Sequence, residues 1–255
     1  MPININKPQK YAYTYIKQFD LLRKMQGIGK SMKDVHSFIH NGMCLAKVSH
    51  MNEEKYDHES EVYFMEFVKI DFQYSNDVTV INKEQFDAHM RLYEGYINKM
   101  NEIDKLLMED SDLAQANSTY SKYRGIKRGE TFALNGVILH ELYFQNIGGP
   151  ESNPDETVKK HLTQSFGSFE EWEKQFVATA KSSRGWVVLA YDVRSKSFRN
   201  TSLDAHDVGN ITFSTPILVL DMYEHAYFLQ YADKKVDYIN NFMKNIDWNI
   251  IRDRM

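Results

Sequence analysis

The clearest periodic pattern in the chain begins at Asn82. From there Phe86, His89, Met90, Tyr93, Tyr96, Ile97 and Met100 recur at three- and four-residue spacings, which lays them along one face of a long helix. Asn82, followed three residues on by Gln85, has the form of a capping box at its start. A second helical pattern runs from about Phe132 to Ile147 and stops at Gly148-Gly149-Pro150. The polar stretch from Pro150 to Glu156 reads as an exposed loop dividing a helical half from a mixed half. Strands are predicted around Trp186–Tyr191, Ser197–Thr201 and Pro216–Leu220, with helices from there to the end. A helical hairpin followed by a small antiparallel sheet packed with helices is an α+β layout.

Ahead of this lies a stretch with weaker signals. Tyr15, Ile16, Phe19, Leu21, Leu22 and Met25 show helical spacing, ending near Gly27-Ile28-Gly29. A second amphipathic segment, Ser31 to Asn41, carries His36 and His40, with Cys44 four residues further on. Histidines four apart on a helix can chelate a metal, but Gly42 ends that helix before Cys44, and a plain amphipathic helix is the simpler reading. Asn52 to Glu61 reads as a polar linker, and Val62 to Ile70 as a strand or short helix. The chain thus divides into an N-terminal extension, 1–70, a helical hairpin, 71–150, and an α+β unit, 151–255. The extension could pack on the hairpin, mediate assembly or bind a partner.

Composition narrows the classes. The 255 residues, 42% hydrophobic, suffice for a proper core. A net charge of −4 gives no argument for nucleic acid or a membrane surface as partner, and no apolar run is long enough to span a bilayer. Cys44, the single cysteine, rules out an intrachain disulfide and favours a reducing compartment or simple disuse. The first residues lack the apolar core of a secretory signal. A cytoplasmic protein is the expectation.

The chemistry concentrates at the end of the third predicted strand. Asp221 would close that strand, and His225, four residues on, would sit on the turn after it. Carboxylate oxygen with imidazole nitrogen suits Mn, Fe or Zn. On spacing alone, an acid and a histidine satisfied by hydrogen bonds is the plainer explanation.

Resemblance changes that balance. Asp221-Met222-Tyr223-Glu224-His225-Ala226-Tyr227 resembles the C-terminal metal motif of the iron/manganese superoxide dismutases, D-x-W-E-H-A-Y. Gly185-Trp186-Val187-Val188-Leu189 is similar to the family's G-W-x-W-L strand, and Phe169-Glu170-Glu171-Trp172 to the helix before it. Asn135 to His140, with Tyr143, Phe144 and Asn146, resembles the helix that presents a histidine ligand. These motifs stand in the family's order over roughly residues 70–255. The resemblance implies an enzyme that disproportionates superoxide by cycling one Fe or Mn ion between its 3+ and 2+ states, held by His89, His140, Asp221 and His225.

His89 rests on two anchors that differ by one residue. The helix start at Ile81-Asn82-Lys83-Glu84 puts the ligand at His89, whereas counting back from Tyr96-Ile97-Asn98-Lys99-Met100-Asn101 puts it at Ala88, which cannot bind metal. A one-residue deletion absorbed as a π-bulge would reconcile them.

Around the ligands the resemblance assigns further roles, and the chain departs from the family at several of them. Tyr96 matches the gateway tyrosine that relays protons. The family's solvent-holding Gln enters from one of two places. These are Gly136 here, which has no side chain, and Ala205-His206-Asp207, which resembles N-Q-D and leaves the solvent to His206. Without that Gln, Fe and Mn cannot be told apart. Tyr223 replaces the motif's Trp, and Val188 the second Trp of the strand. Tyr93 replaces a histidine and Phe228 the tyrosine that meets it from the partner subunit, so that contact would become apolar or aromatic. Glu224 of each subunit would bond His225 of the other, implying a homodimer. Lys235 stands where the family has a channel arginine, and with Lys234, Arg91 and Lys99 would draw in the superoxide anion. The competing class is a relative that kept the fold but serves as a scaffold; retention of all four ligands argues for the enzyme.

Overall fold

The computed structural model describes residues 65–75, 80–109, 112–147 and 153–255 and the backbone of 47 and 48. Asn82 caps the first long helix, α1 (Lys83–Met108), its side chain accepting from the Gln85 amide at 2.8 Å. The other half of the expected capping box is not formed by Gln85. That side chain is fully buried, donating to the His225 carbonyl and accepting from Leu229 N–H at 3.0 Å, and Gln230 accepts from the Asn82 amide instead. A buried amide that must satisfy both its ends cannot also turn back to a surface cap.

The second helix, α2 (Lys122–Ile147), starts well before the apolar pattern that announced it. Its first turns are largely exposed and polar, so no stripe marks them; Ser121 caps them by accepting from Arg124 N–H at 3.1 Å. The two helices run antiparallel: Ile103 meets Gly129, Tyr96 meets Gly136 and His89 meets Tyr143. α1 is α-helical throughout, without the expected π-bulge. His89 and Tyr96, seven residues apart, are about two turns apart at 3.6 residues per turn, so both face inward unaided.

Two helices follow, α3 (Glu156–Phe166) and α4 (Phe169–Ser182), capped by Asp155 and Ser168. The first is an addition to the sequence reading, which carried a loop as far as Glu156. The sheet has the order β4–β3–β5, antiparallel throughout, from β3 (Trp186–Asp192), β4 (Ser197–Leu203) and β5 (Ser214–Asp221). Central β3 pairs Trp186 with Leu203 on one side and with Asp221 on the other. A continuous core of Leu162, Trp172, Phe176, Leu189, Leu218 and Phe242 joins sheet and helices. Three short helices close the chain, α5 (Phe228–Tyr231), α6 (Lys235–Lys244) and α7 (Trp248–Arg254). Among the described residues no helix is long and apolar enough to cross a membrane.

Of the described residues in the stretch expected to be a strand or short helix before Ile70, Met65–Glu66 (β2) pair antiparallel to Lys47–Val48 (β1) and the rest do not. From Phe67 to Tyr74 the chain is a strap on α1 held by side chains. Phe67 bonds the Asn101 side chain through both its amide (2.7 Å) and its carbonyl (2.9 Å), and Ile70 N–H donates to the Tyr93 hydroxyl at 2.9 Å. Among the described residues, contact with the hairpin therefore begins at Phe67. The helices expected over residues 15–25 and 31–41, with His36, His40 and Cys44, and the linker over 52–61, lie outside the described residues.

Arg254, in the last turn of α7, staples the site's two carriers together. Its guanidinium donates to Asn146 Oδ1 (2.6 Å), Gln145 Oε1 (2.6 Å) and the Ile217 carbonyl (2.8 Å), while Asn146 donates to the Val219 carbonyl at 2.6 Å. α2 carries His140 and β5 ends in Asp221. Arg254→Met strands these buried acceptors and should lower stability by about 2–4 kcal/mol, read as a drop of roughly 4–15 °C in the thermal midpoint. An unchanged midpoint would refute the staple.

Candidate metal centre

Asp221 is the last residue of β5 and is fully buried. One carboxylate oxygen, Oδ1, accepts from the Tyr223 amide at 2.9 Å, which fixes the turn after the strand. The other, Oδ2, faces three imidazoles: His89 Nε2 at 3.0 Å, His225 Nε2 at 3.1 Å and His140 Nε2 at 3.9 Å. One ligand atom from each of the four residues lies within 4.8 Å of the other three. Four elements deliver them: α1, α2, β5 and a single 3₁₀ turn, Glu224–Ala226. The structure thus brings together His89, His140, Asp221 and His225, the four residues singled out from the sequence.

Their hydrogen bonding suits a cation. His140 Nδ1–H donates to the Gly136 carbonyl at 2.6 Å, one helical turn back. That tautomer leaves a lone pair on Nε2, which is buried without a hydrogen-bonding partner among the described residues, as is His89 Nδ1. An orphaned buried acceptor is costly, and a metal ion among these donors satisfies it. Donors about 2.0–2.2 Å from a shared ion stand roughly 3 Å apart, as His89 Nε2 and His225 Nε2 do from Asp221 Oδ2.

The electrostatics point the same way. Burial holds the His89 imidazole below its usual range despite its bond to Asp221, and burial together with the charge on His89 pushes His140 lower still. Burial would raise the Asp221 carboxyl, but His225 and His89 outweigh it and hold it far below the carboxylate range. His225 is raised, because the Asp221 charge exceeds the effect of burial. Neutral His89 and His140 beside an anionic Asp221 are the state a metal needs, while His225 must give up its proton to join them.

Beside the cluster lies a hydrogen-bonded chain. The Trp186 indole N–H donates to His206 Nδ1 at 2.8 Å, and His206 Nε2 is 2.7 Å from the Tyr96 hydroxyl. Burial pushes His206 down to about 4, so it is neutral near pH 7. Since indole only donates, the proton sits on Nε2 and is given to Tyr96. Both ring nitrogens are thus engaged, Nδ1 by Trp186 and Nε2 by Tyr96. Gly136 has its own reason: a Cβ there would lie 2.9 Å from the Tyr96 ring. Phe132, overlooked in the sequence as a mere helix start, packs edge-on against His206 at 4.4 Å. Trp186 carried a usable signal, because a buried indole N–H demands an acceptor.

The remaining expected residues fall as follows. Tyr223 is half-buried and stacks on His225 at 5.1 Å. Val188 is buried in central β3. Tyr93 is fully buried, its hydroxyl accepting from Ile70 and donating to Glu141 at 2.7 Å. Both hydroxyl partners of Tyr93 thus lie within the same chain. Phe228 itself is 53% exposed, and Glu224 is exposed beside it. Lys235 is joined to the C-terminal end of α4, donating to the Ser183 carbonyl at 2.7 Å, and Lys99 pairs with Glu102.

Residues 154–254 match the model for the C-terminal domain of iron/manganese superoxide dismutases. The chain is 39% identical over 178 residues to a superoxide dismutase (Fe) of Aquifex aeolicus, covering 68% of this chain and 84% of the relative. It is 34% identical over 166 residues to superoxide dismutase (Mn) 2 of Haloferax volcanii, covering 64% and 79%. With a superoxide dismutase (Fe) of Saccharolobus solfataricus it shares 32% over 179 residues, covering 66% and 82%. Relatives named for either metal therefore match.

The lowered histidines set an acid limit. His89, His140 and His206 have folded pKa values below the usual ~6.5, so unfolded chains take up more protons once the pH falls below that value, and stability declines with it. Raised His225 and Glu141, the latter pushed up to about 7 by burial, have the opposite sign and offset part of this loss. Metal-free protein should show a lower urea midpoint at pH 5 than at pH 7, and His206→Gln should flatten the difference. Equal midpoints at both pH values would mean these histidines are not held neutral.

Proposed function

The chain belongs to the iron/manganese superoxide dismutase family, and from that membership we infer that it converts superoxide to oxygen and hydrogen peroxide with one bound iron or manganese ion. The observation that carries this is the convergence of three imidazoles on Asp221 Oδ2 in a buried site. His89, His140, Asp221 and His225 would hold the ion. When bound, that ion supplies the one-electron chemistry by taking an electron from one superoxide and giving it to the next.

The chain's own residues orient, shield and move protons. The Gly136 carbonyl fixes the His140 ring so that Nε2 faces the centre. Trp186 sets the His206 tautomer, and His206 Nε2–H occupies an acceptor site on the Tyr96 oxygen, leaving the phenolic hydrogen free to turn to substrate. Burial, with the nearby Tyr223 and Asp221, pushes Tyr96 up to about 12, so it remains protonated and able to donate. His206 keeps its single Nε2 proton and holds the Tyr96 oxygen in place, so the proton that Tyr96 gives up must be replaced from solvent. Tyr223 covers the face of His225 against water. Lys235 supplies positive charge beside the backbone that leads into Trp186, which supports a part in drawing in the anion. The scaffold alternative is not favoured, since four buried polar donors are expensive without an ion to hold.

The protein assembles in this reading as a C2 homodimer, Glu224 of one subunit bonding His225 of the other. Exposed Glu224 next to half-buried His225, with Phe228 (53% exposed) and Leu229 (56%) beside them, supports it. The cytoplasmic assignment rests on Cys44 standing alone in the chain.

Purified protein should carry close to one Fe or Mn per chain and consume superoxide, and Asp221→Ala should lose both metal and activity; full metal loading in that variant would sink the ligand set. Glu224→Ala should weaken the dimer and loosen the metal together, at a cost of about 2–5 kcal/mol. A wild-type protein that is monomeric at micromolar concentration by light scattering while fully metallated would contradict the dimer.

A further inference from the structure

The His140 ring is fixed by the bond from its Nδ1 to the Gly136 carbonyl, and the Asp221 carboxylate by the Tyr223 amide. His89 has no such tie. Its Nε2 faces Asp221, and its Nδ1 is buried with no hydrogen-bonding partner among the described residues. A metal-binding histidine ordinarily donates through its second nitrogen, and that bond sets the plane of the ring. The last torsion of a histidine side chain is soft, so without the bond the plane of His89 is set by whatever packs on it.

Two aromatic walls from α2 do that packing. Tyr143 lies 5.0 Å and Phe144 4.9 Å from the His89 ring, centre to centre. Tyr143 is tied through its hydroxyl, 3.1 Å from that of Tyr238. Phe144 has no polar atom and depends on its own neighbours. Phe86 and Tyr93, at 5.5 and 6.4 Å, belong to α1, the helix of His89 itself. Phe72 comes from outside the hairpin. This strap residue lies 5.3 Å from Phe144 and edge-on to Tyr93 at 6.2 Å, so one ring reaches both helices. A tight bend turns it inward: its amide donates to the Ile70 carbonyl at 3.0 Å, while Asp71 and Gln73 on either side are exposed. The bond from Ile70 N–H to the Tyr93 hydroxyl fixes the register of that bend on α1.

We propose that Phe72 is a positioning residue for the metal: pressed against Phe144, it holds the plane of the His89 ring, so that the strap ahead of the hairpin helps set the geometry of the site. This rests on the reading of His89 as a ligand. Such sites work only when their ligands are held within about 0.5 Å and 10–20° of the required geometry. Removing the Phe72 ring leaves a cavity behind Phe144, into which that ring can tip and free His89 to turn.

The full-length metal-loaded protein and its variants Phe72→Ala, Phe72→Met and Asn101→Ala test this. Three readouts are compared: the electron paramagnetic resonance spectrum of the bound metal, its release rate to a chelator, and the urea midpoint of the metal-free chain. Asn101→Ala cuts the strap's other tie, at Phe67, and serves as the structural control. Phe72→Ala should alter the spectrum and speed metal release roughly tenfold, the scale on which loss of a ligand-orienting group acts. Phe72→Met refills the space and should recover most of both, since hydrophobic swaps of similar volume are tolerated. Asn101→Ala should lower the urea midpoint and leave spectrum and release as in wild type. A Phe72→Ala chain that still unfolds cooperatively but retains no metal also supports the proposal; should that variant fail to fold, Phe72→Leu carries the same comparison. An unchanged spectrum and release rate on loss of the ring, or the same spectral change in Asn101→Ala, would overturn it. Wild-type protein that takes up neither iron nor manganese would instead overturn the ligand assignment itself, before any variant is compared.

Discussion

One carboxylate oxygen organises this molecule. Asp221 Oδ2 sits at the end of the sheet with three imidazole nitrogens turned toward it from three other pieces of chain. Such a group of donors is unfavourable in a dry interior unless a cation is shared among them, since each lone pair there has given up water. The elements that would otherwise fray are pinned for that purpose. Gln85 ties α1 to the turn carrying His225, Tyr238 donates to the Asp221 carbonyl at 2.9 Å, and Asn146 with Arg254 joins α2 to β5. Much of the fold's polar bonding serves to bring the four donors to one place.

The departures from the family become intelligible as compensations. A His in place of Gln at 206 still receives the Trp186 N–H, and the single proton it keeps goes to Tyr96. Gly136 admits the Tyr96 ring where any side chain would collide with it. Tyr93 turns inward to fix the strap and Glu141, whose carboxyl is pushed up to about 7 by burial. Each substitution keeps a path of hydrogen bonds closed while changing its members. No structural reason distinguishes Val188 from the larger ring the family carries there.

The strap gives the N-terminal extension a physical relation to the site. Ile70 bonds the same Tyr93 hydroxyl that meets Glu141, the neighbour of His140. The strap is therefore connected through a few residues to the helix bearing a ligand.

Local patterns in the sequence already determined the hairpin's inward face and the three strands, because side-chain periodicity is written residue by residue, whereas the four donors were named through resemblance to a family. The start of α2 was not legible, since its exposed polar turns carry no apolar stripe, and α3 offered only the short pair Val158 and Leu162, one turn apart. Gln85 could not be assigned either: its local role as a cap was displaced by His225 and Leu229, more than a hundred residues away. The tautomer of His206 and the inward turn of Tyr93 were decided only by tertiary structure. A side chain with two possible partners takes its role from whichever group the fold brings within about 3 Å, and sequence spacing does not contain that distance.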